Sequence, residues 1–250
     1  MADTKISAET SAGALTGAEI VPVVRGTGSP PTYSNLRTTT QDIANLAGGG
    51  GGGLWAASIG TVPTLAGTGF SGNWINQGGA SANDRVNGFS ISCPSNSGDS
   101  LRVLFKTAPA TPFKALVLLS MTHFPNQSFM GGLGFIEGTG ATSNILAIHK
   151  LINNSDQIEV IKWNDATTFG SKPVGAIIYP GNPLWFYAED DGTNAILGIC
   201  QTGDPADRIP IYSEAKSGGF LADYTRLCIF GNKTATGTAG IVGVHAWDES

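Results

Sequence analysis

The sequence predicts an all-β protein: an antiparallel β-sandwich over residues 54–250, preceded by a small β-rich N-terminal module with one short helix over residues 1–47. Three observations carry this reading. Gly and Pro together make up about a fifth of the 250 residues, well above average usage, so turns are frequent and helices short. Short runs of β-branched, aromatic and leucine residues recur between clusters of Gly, Asn, Asp, Ser and Pro, the spacing of a sandwich or barrel. No convincing helix longer than two turns stands out, which argues against an α/β nucleotide-binding fold. With 41% hydrophobic residues, a chain of this length can bury a sizeable core.

Taken in order, Ile20 to Val24 follows a Gly turn and reads as a strand that Pro22 confines to a sheet edge. A polar turn over residues 26–31 leads to Leu36-Arg-Thr-Thr-Thr. Ile43 and Leu46 then stand at helical spacing, with Thr40 as N-cap and Asp42 near the positive end of the helix dipole. These 47 residues carry too little apolar surface to be stable alone and are expected to finish folding on another protein. Six consecutive glycines, Gly48 to Gly53, lose too much backbone entropy to sit inside a regular element. As a flexible linker they would span about 13 Å; the alternative is a glycine run packed along a symmetry axis.

Beyond the linker, strands are predicted at 89–93, 101–106, 114–121, 130–136, 145–151, 157–163, 184–189, 195–199, 227–231 and 240–247. Ten strands in this length fit two packed sheets. Asp190-Asp191-Gly192-Thr193 separates two strand patterns as a tight hairpin turn would.

Charge and hydropathy exclude several function classes. Only 13% of residues are charged and the net charge is −5, so electrostatic binding to nucleic acid or to an anionic membrane is not expected. No apolar run approaches the roughly 20 residues that span a bilayer, and the N-terminus lacks the basic and apolar regions of a secretory signal, so the chain is expected to stay on the cytosolic side. Cys93, Cys200 and Cys228 form no CxxC pair and sit in apolar strand contexts. They read as buried free thiols.

Three N-terminal pieces occur together and in order: Thr4-Lys5-Ile6-Ser7, then Leu15-Thr-Gly-Ala-Glu-Ile20-Val21-Pro22-Val23-Val24-Arg25, then Leu36-Arg-Thr-Thr-Thr-Gln-Asp-Ile43-Ala. This pattern resembles the N-terminal module of tailed-bacteriophage tail-fibre and other virion appendage proteins. The resemblance implies that Lys5, Ile6, Ser7, Ile20, Val21, Pro22, Val23, Val24, Thr39 and Ile43 serve attachment to the virion. Trp163-Asn-Asp-Ala-Thr-Thr-Phe and Leu184-Trp-Phe-Tyr-Ala-Glu-Asp-Asp-Gly-Thr-Asn are similar to the concanavalin A-like, or jelly-roll, sandwich at the tips of such fibres. The family analogy implies a homotrimer, assembled in the host cytoplasm into the virion, with tail, baseplate or capsid proteins as partners on one side. On the other side it implies a host-surface glycan or protein.

No catalytic constellation is evident. Glu189 and Asp191 lie two apart on a strand pattern, but Asp190, Asp191 and Gly192 are what a hairpin turn requires, and a glycosidase carboxylate set is incomplete. His123, His149 and His245 are far apart, without metal-binding spacing. Gly67-Thr-Gly-Phe-Ser-Gly matches GxGxxG without a preceding strand or a following helix, and no serine sits in a GxSxG elbow. A non-enzymatic protein with no cofactor and no metal is therefore expected.

Aromatic residues remain. Sugars stack their apolar faces on Trp or Tyr while Asp and Asn take the hydroxyls, which makes Trp163 with Asn164 and Asp165, and Trp185 with Tyr187, the candidate glycan-binding residues. Trp163 is expected to be exposed at a strand end; Trp185 and Tyr187 read more readily as one face of the sandwich core, with Leu184 and Phe186 on the other. Adsorption to the host surface is the expected function. The alternatives are a head fibre or capsid-decoration protein, and a polysaccharide-degrading appendage.

Overall fold

The computed structural model describes residues 20–27, 32–39 and 62–250, the last range apart from 97, 123–127, 139, 141, 153–155, 180, 182 and 235. The chain divides into two units, Met1–Gly52 and Gly53–Ser250. In the first, β1 (Ile20–Thr27) pairs antiparallel with β2 (Thr32–Thr39), Val23 opposite Leu36. Both strands of such a ribbon are edges, which accommodates Pro22. Lys5, Ile6, Ser7 and Ile43, the helix expected after Thr40 and the Gly48–Gly53 linker lie outside the described residues.

The second unit opens with one helical turn, α1 (Leu65–Thr68), whose N-cap Thr64 accepts a hydrogen bond from the Gly67 N–H. The strands that follow are β3 (Trp74–Ile75), β4 (Ser81–Arg85), β5 (Gly88–Cys93), β6 (Arg102–Thr107), β7 (Phe113–Met121), β8 (Phe129–Glu137) and β9 (Asn144–Ile152). They continue with β10 (Gln157–Asp165), β11 (Thr168–Ile178), β12 (Leu184–Asp190), β13 (Asn194–Cys200), β14 (Arg208–Ala215), β15 (Arg226–Lys233) and β16 (Gly240–Glu249). Sheet 1 has the order β11-β10-β9-β8-β15-β6-β3, and sheet 2 the order β14-β13-β12-β7-β16-β5-β4. This is the antiparallel β-sandwich that the sequence predicts, with all ten expected strands present.

Besides β2, the strands not expected from the sequence are β3, β4, β11 and β14, and they are the four outer edges of the two sheets of the sandwich. An edge strand buries little, so it shows no apolar alternation. β11 is exposed along almost its whole length, and Pro173 and Pro210 interrupt β11 and β14 where a ladder hydrogen bond can be given up.

Strand alternation sorts the remaining side chains into layers. Leu184, Phe186 and Ala188 of β12 meet Leu133 and Phe135 of β8, Ile148 of β9 and Val117 and Leu119 of β7 in one core between the sheets. The outer face of sheet 1 carries a second apolar cluster, built by Val103, Ile136, Ala147, Ile161, Trp163 and Phe230. Gly132 allows β8 and β9 to approach there: a Cβ on it would stand 2.0 Å from the Ile148 carbonyl oxygen. The three cysteines are free and buried, and burial pushes the Cys93 thiol up to about 12.

Beside this cluster, buried Glu159 lies 3.5 Å from His149 Nε2 and 2.7 Å from the Lys172 ammonium. The contact with His149, aided by Lys172, holds the Glu159 carboxyl down to about 2 against the opposing effect of burial. Burial holds His149 below its ordinary value. A carboxylate depressed in the folded state contributes stability that is present above its unfolded value and lost as pH falls through the folded one. Denaturant titrations should therefore show stability falling between about pH 4.5 and 2, and Glu159→Gln should flatten that part of the curve while lowering stability at neutral pH.

Candidate functional site

The candidate glycan-binding aromatics are not exposed. Trp163 lies on the same face of sheet 1 as Ile161, as alternation requires, but it is only 1% exposed and packs edge-on against Phe169 at 5.6 Å. Its partner across the strands is that same Phe169, because β10 and β11 form a hairpin. Asn164 is exposed, and Asp165 serves its own turn: its Oδ1 accepts from the Thr167 N–H and hydroxyl, both at 2.7 Å. These bonds hold the Asp165 carboxyl below its ordinary value. The expectation of an exposed Trp163 platform is corrected, since the apolar surface of sheet 1 extends over its outer face and absorbs the indole.

Trp185 and Tyr187 point to the outer face of sheet 2, opposite in direction to the core residues Leu184 and Phe186. They too are buried, at 5% and 3% exposure, in a small cluster with Leu116, Cys200 and Ala246. Gly203, with a left-handed φ of 82°, brings the 201–207 loop onto the indole, where a Cβ would stand 2.7 Å from the ring. Tyr187 packs against Gly198 of β13, and burial raises its hydroxyl to about 12. Neither ring offers a free face for a sugar.

Polar side chains nevertheless gather on the outer face of sheet 2, around two clefts. The first, about 400 Å³, lies at the ends of β7 and β12 and is lined by Lys114, Glu189, Asp190 and Asp191 together with Pro112 and Phe113. Register places Glu189 opposite Lys114; the Lys114 ammonium is 3.5 Å and the Arg208 guanidinium 3.2 Å from the Glu189 carboxylate. Asp191 closes the predicted hairpin by accepting from the Thr193 and Asn194 N–H groups at 2.8 and 2.7 Å. Asp190 points inward and binds Lys216 Nζ and the Thr111 hydroxyl, each at 2.8 Å. Burial raises the Asp190 carboxyl, but Lys216, the Gly192 N–H and the Tyr224 and Thr111 hydroxyls outweigh it, and the net shift is downward.

The second cleft, about 460 Å³, lies over β5, β16 and β7. Register sets Asn83, Ser90, Gly243 and Ser120 in one row across four strands. His245 enters this row from a β-bulge in β16, between Val244 and Ala246, and its Nε2 stands 2.6 Å from Ser120 Oγ. The sequence reading treated His245 as solitary; Ser120 and His245 are 125 residues apart and no spacing rule connects them. Among the described residues, no group of three or more His, Cys, Asp or Glu side chains is placed to hold a metal ion.

No family model matches the chain, and no curated protein does. Among solved structures it is similar to the GH43 protein BlXynB from Bacillus licheniformis, at 12% identity and a TM-score of 0.47, covering 64% of this chain and 32% of that one. It is also similar to a legume lectin-like domain from Entamoeba histolytica, at 8% identity and a TM-score of 0.45 over 68% and 87% of the two chains. A third likeness is the CBM2 module of an evolved Dit of Lactobacillus casei BL23 phage J-1, at 11% identity and a TM-score of 0.36 over 70% and 81%. The chain spans about a third of the length of the GH43 structures it matches. The expectation of a non-enzymatic protein is corrected here. The similar solved structures include GH43 proteins, an alginate lyase and a transglycosylase.

The burial of Trp163 has a measurable consequence. Trp163→Ala should cost roughly 3–5 kcal/mol of folding stability, read as a large drop in melting temperature of the full chain.

Proposed function

We propose that the protein is a structural component of a tailed-bacteriophage virion whose sandwich domain binds a host-surface carbohydrate on the outer face of sheet 2. The observation that carries the binding part is the first cleft, where Lys114, Glu189 and Asp191 set a hydrogen-bond donor and two acceptors around one open space. A sugar presents neighbouring hydroxyls that both donate and accept, so a site with both kinds of partner can fix its orientation. Exposed Pro112 lines the same cleft and suits the C–H face of a pyranose. The virion part rests on the N-terminal pattern of Lys5-Ile6-Ser7, Ile20 to Val24, and Thr39 with Ile43. Residues 1–47 are the attachment module in this reading, 48–53 the linker and 54–250 the head. The assembly is a homotrimer bound to tail, baseplate or capsid proteins.

The full chain should bind host-surface polysaccharide saturably and compete with phage particles for adsorption. Lys114→Ala should weaken that binding roughly tenfold or more, the loss of one hydrogen bond to a charged group. Absence of binding to every polysaccharide of a susceptible host, with no competition, would overturn the reading. A chain shortened to begin at Leu54 should keep polysaccharide binding and fail to join particles; normal incorporation of that chain would remove the attachment role from residues 1–47.

A further inference from the structure

We propose that Ser120 and His245 are a nucleophile and its general base, and that the second cleft of sheet 2 hydrolyses short-chain acyl esters. Four observations meet at this place. The Ser120 hydroxyl and His245 Nε2 are 2.6 Å apart, within the distance at which a base takes a hydroxyl proton. The other ring nitrogen, Nδ1, faces the Asn87 carbonyl oxygen at 3.4 Å. A carbonyl only accepts, so the neutral ring carries its proton on Nδ1 and leaves Nε2 as the acceptor for the serine O–H. That is the direction of proton transfer an activated serine needs.

The third observation is the β-bulge between Val244 and Ala246. Alternation puts His245 on the outer face with Gly243, and the bulge leaves it as the extra residue between two register positions of β7, a kind of irregularity that recurs beside active sites. The fourth is Gly243, which lies across the ladder from Ser120. A Cβ there would stand 2.8 Å from Ser120 Oγ and 3.1 Å from His245 Nε2, so the missing side chain is the space in which the pair meets. The surrounding cleft of about 460 Å³ is of ligand size. Of its lining residues, Arg85 alone is permanently charged. Its Nε donates to Ser90 Oγ at 2.9 Å, so a guanidinium is tied to the row of residues that also carries Ser120.

The chemistry balances with water as the only co-reactant. Ser120 Oγ bonds to the ester carbonyl carbon as its proton passes to His245 Nε2. The tetrahedral intermediate expels the alcohol oxygen, which takes that proton, leaving an acyl ester on Ser120. Water then attacks the same carbon, giving a proton to Nε2; the C–Oγ bond breaks, the carboxylic acid leaves and the proton returns to Ser120.

The test uses the folded full chain, a fluorophosphonate reagent and p-nitrophenyl acetate. The reagent should form a covalent phosphonyl ester on Ser120 in preference to the other serines, located by mass spectrometry of the digested protein. Nitrophenol release should accompany it. Both rates should fall about 100-fold or more in His245→Asn, and Gly243→Ala, which fills the meeting space, should lower them as well. Ser120→Ala should lose the label and keep polysaccharide binding, so failure here is separable from failure of the carbohydrate reading. No preferential labelling of Ser120 in the unaltered chain would overturn the proposal, as would a labelling rate unchanged in a folded His245→Asn variant.

Discussion

Burial of alternate side chains between the two sheets determines which residues are left to face outward. A strand offers every second residue to each face, so placing Leu184, Phe186 and Ala188 in the shared core commits Trp185, Tyr187 and Glu189 to the other side. The same argument runs along β7, where Ala115, Val117 and Leu119 are in the core and Lys114, Leu116, Leu118 and Ser120 face out. A one-residue slip in either register would exchange the two sets. The clefts on sheet 2 therefore depend on the core beneath them.

The two outer faces differ in what they do with this freedom. Sheet 1 continues as an apolar layer, with Trp163 and Phe230 almost wholly buried. Sheet 2 has a small apolar cluster around Trp185 and Tyr187, flanked by Lys114 and Glu189 on one side and by the Ser90, Gly243 and Ser120 row on the other. Polar groups on a rigid sheet keep their spacing without the entropy cost of ordering a loop, which favours a site built there.

Irregularities supply what alternation alone does not. The bulge in β16 turns Ala246 outward into the cluster with Trp185 and Leu116, while His245 keeps the outward direction of Gly243 and meets a serine on the neighbouring strand. The inward turn of Asp190, tied to Thr111, Lys216 and the Gly192 N–H, secures the β12–β13 hairpin from below. Its neighbours Glu189 and Asp191 are thereby left at the first cleft. Charged groups held in such networks lose much if a single partner is removed.

The sequence by itself determined the all-β class, the ten central strands and the hairpin at Asp190 to Thr193, because central strands bury both faces and their apolar runs are strong local signals. It did not reveal β3, β4, β11 and β14, since an edge strand shows little apolar pattern and tolerates Pro. Glu189 and Asp191 were legible as a pair on one strand pattern; the placement of Lys114 and Arg208 beside Glu189 was not, because it is a matter of cross-strand register. Exposure was the poorest guess: Trp163 beside Asn164 and Asp165 has the local composition of a surface aromatic, yet whether a ring is covered depends on what packs over its face. Only the tertiary structure decided that, and only it joined Ser120 to His245, because their contact arises from a pairing of distant strands that no local periodicity records.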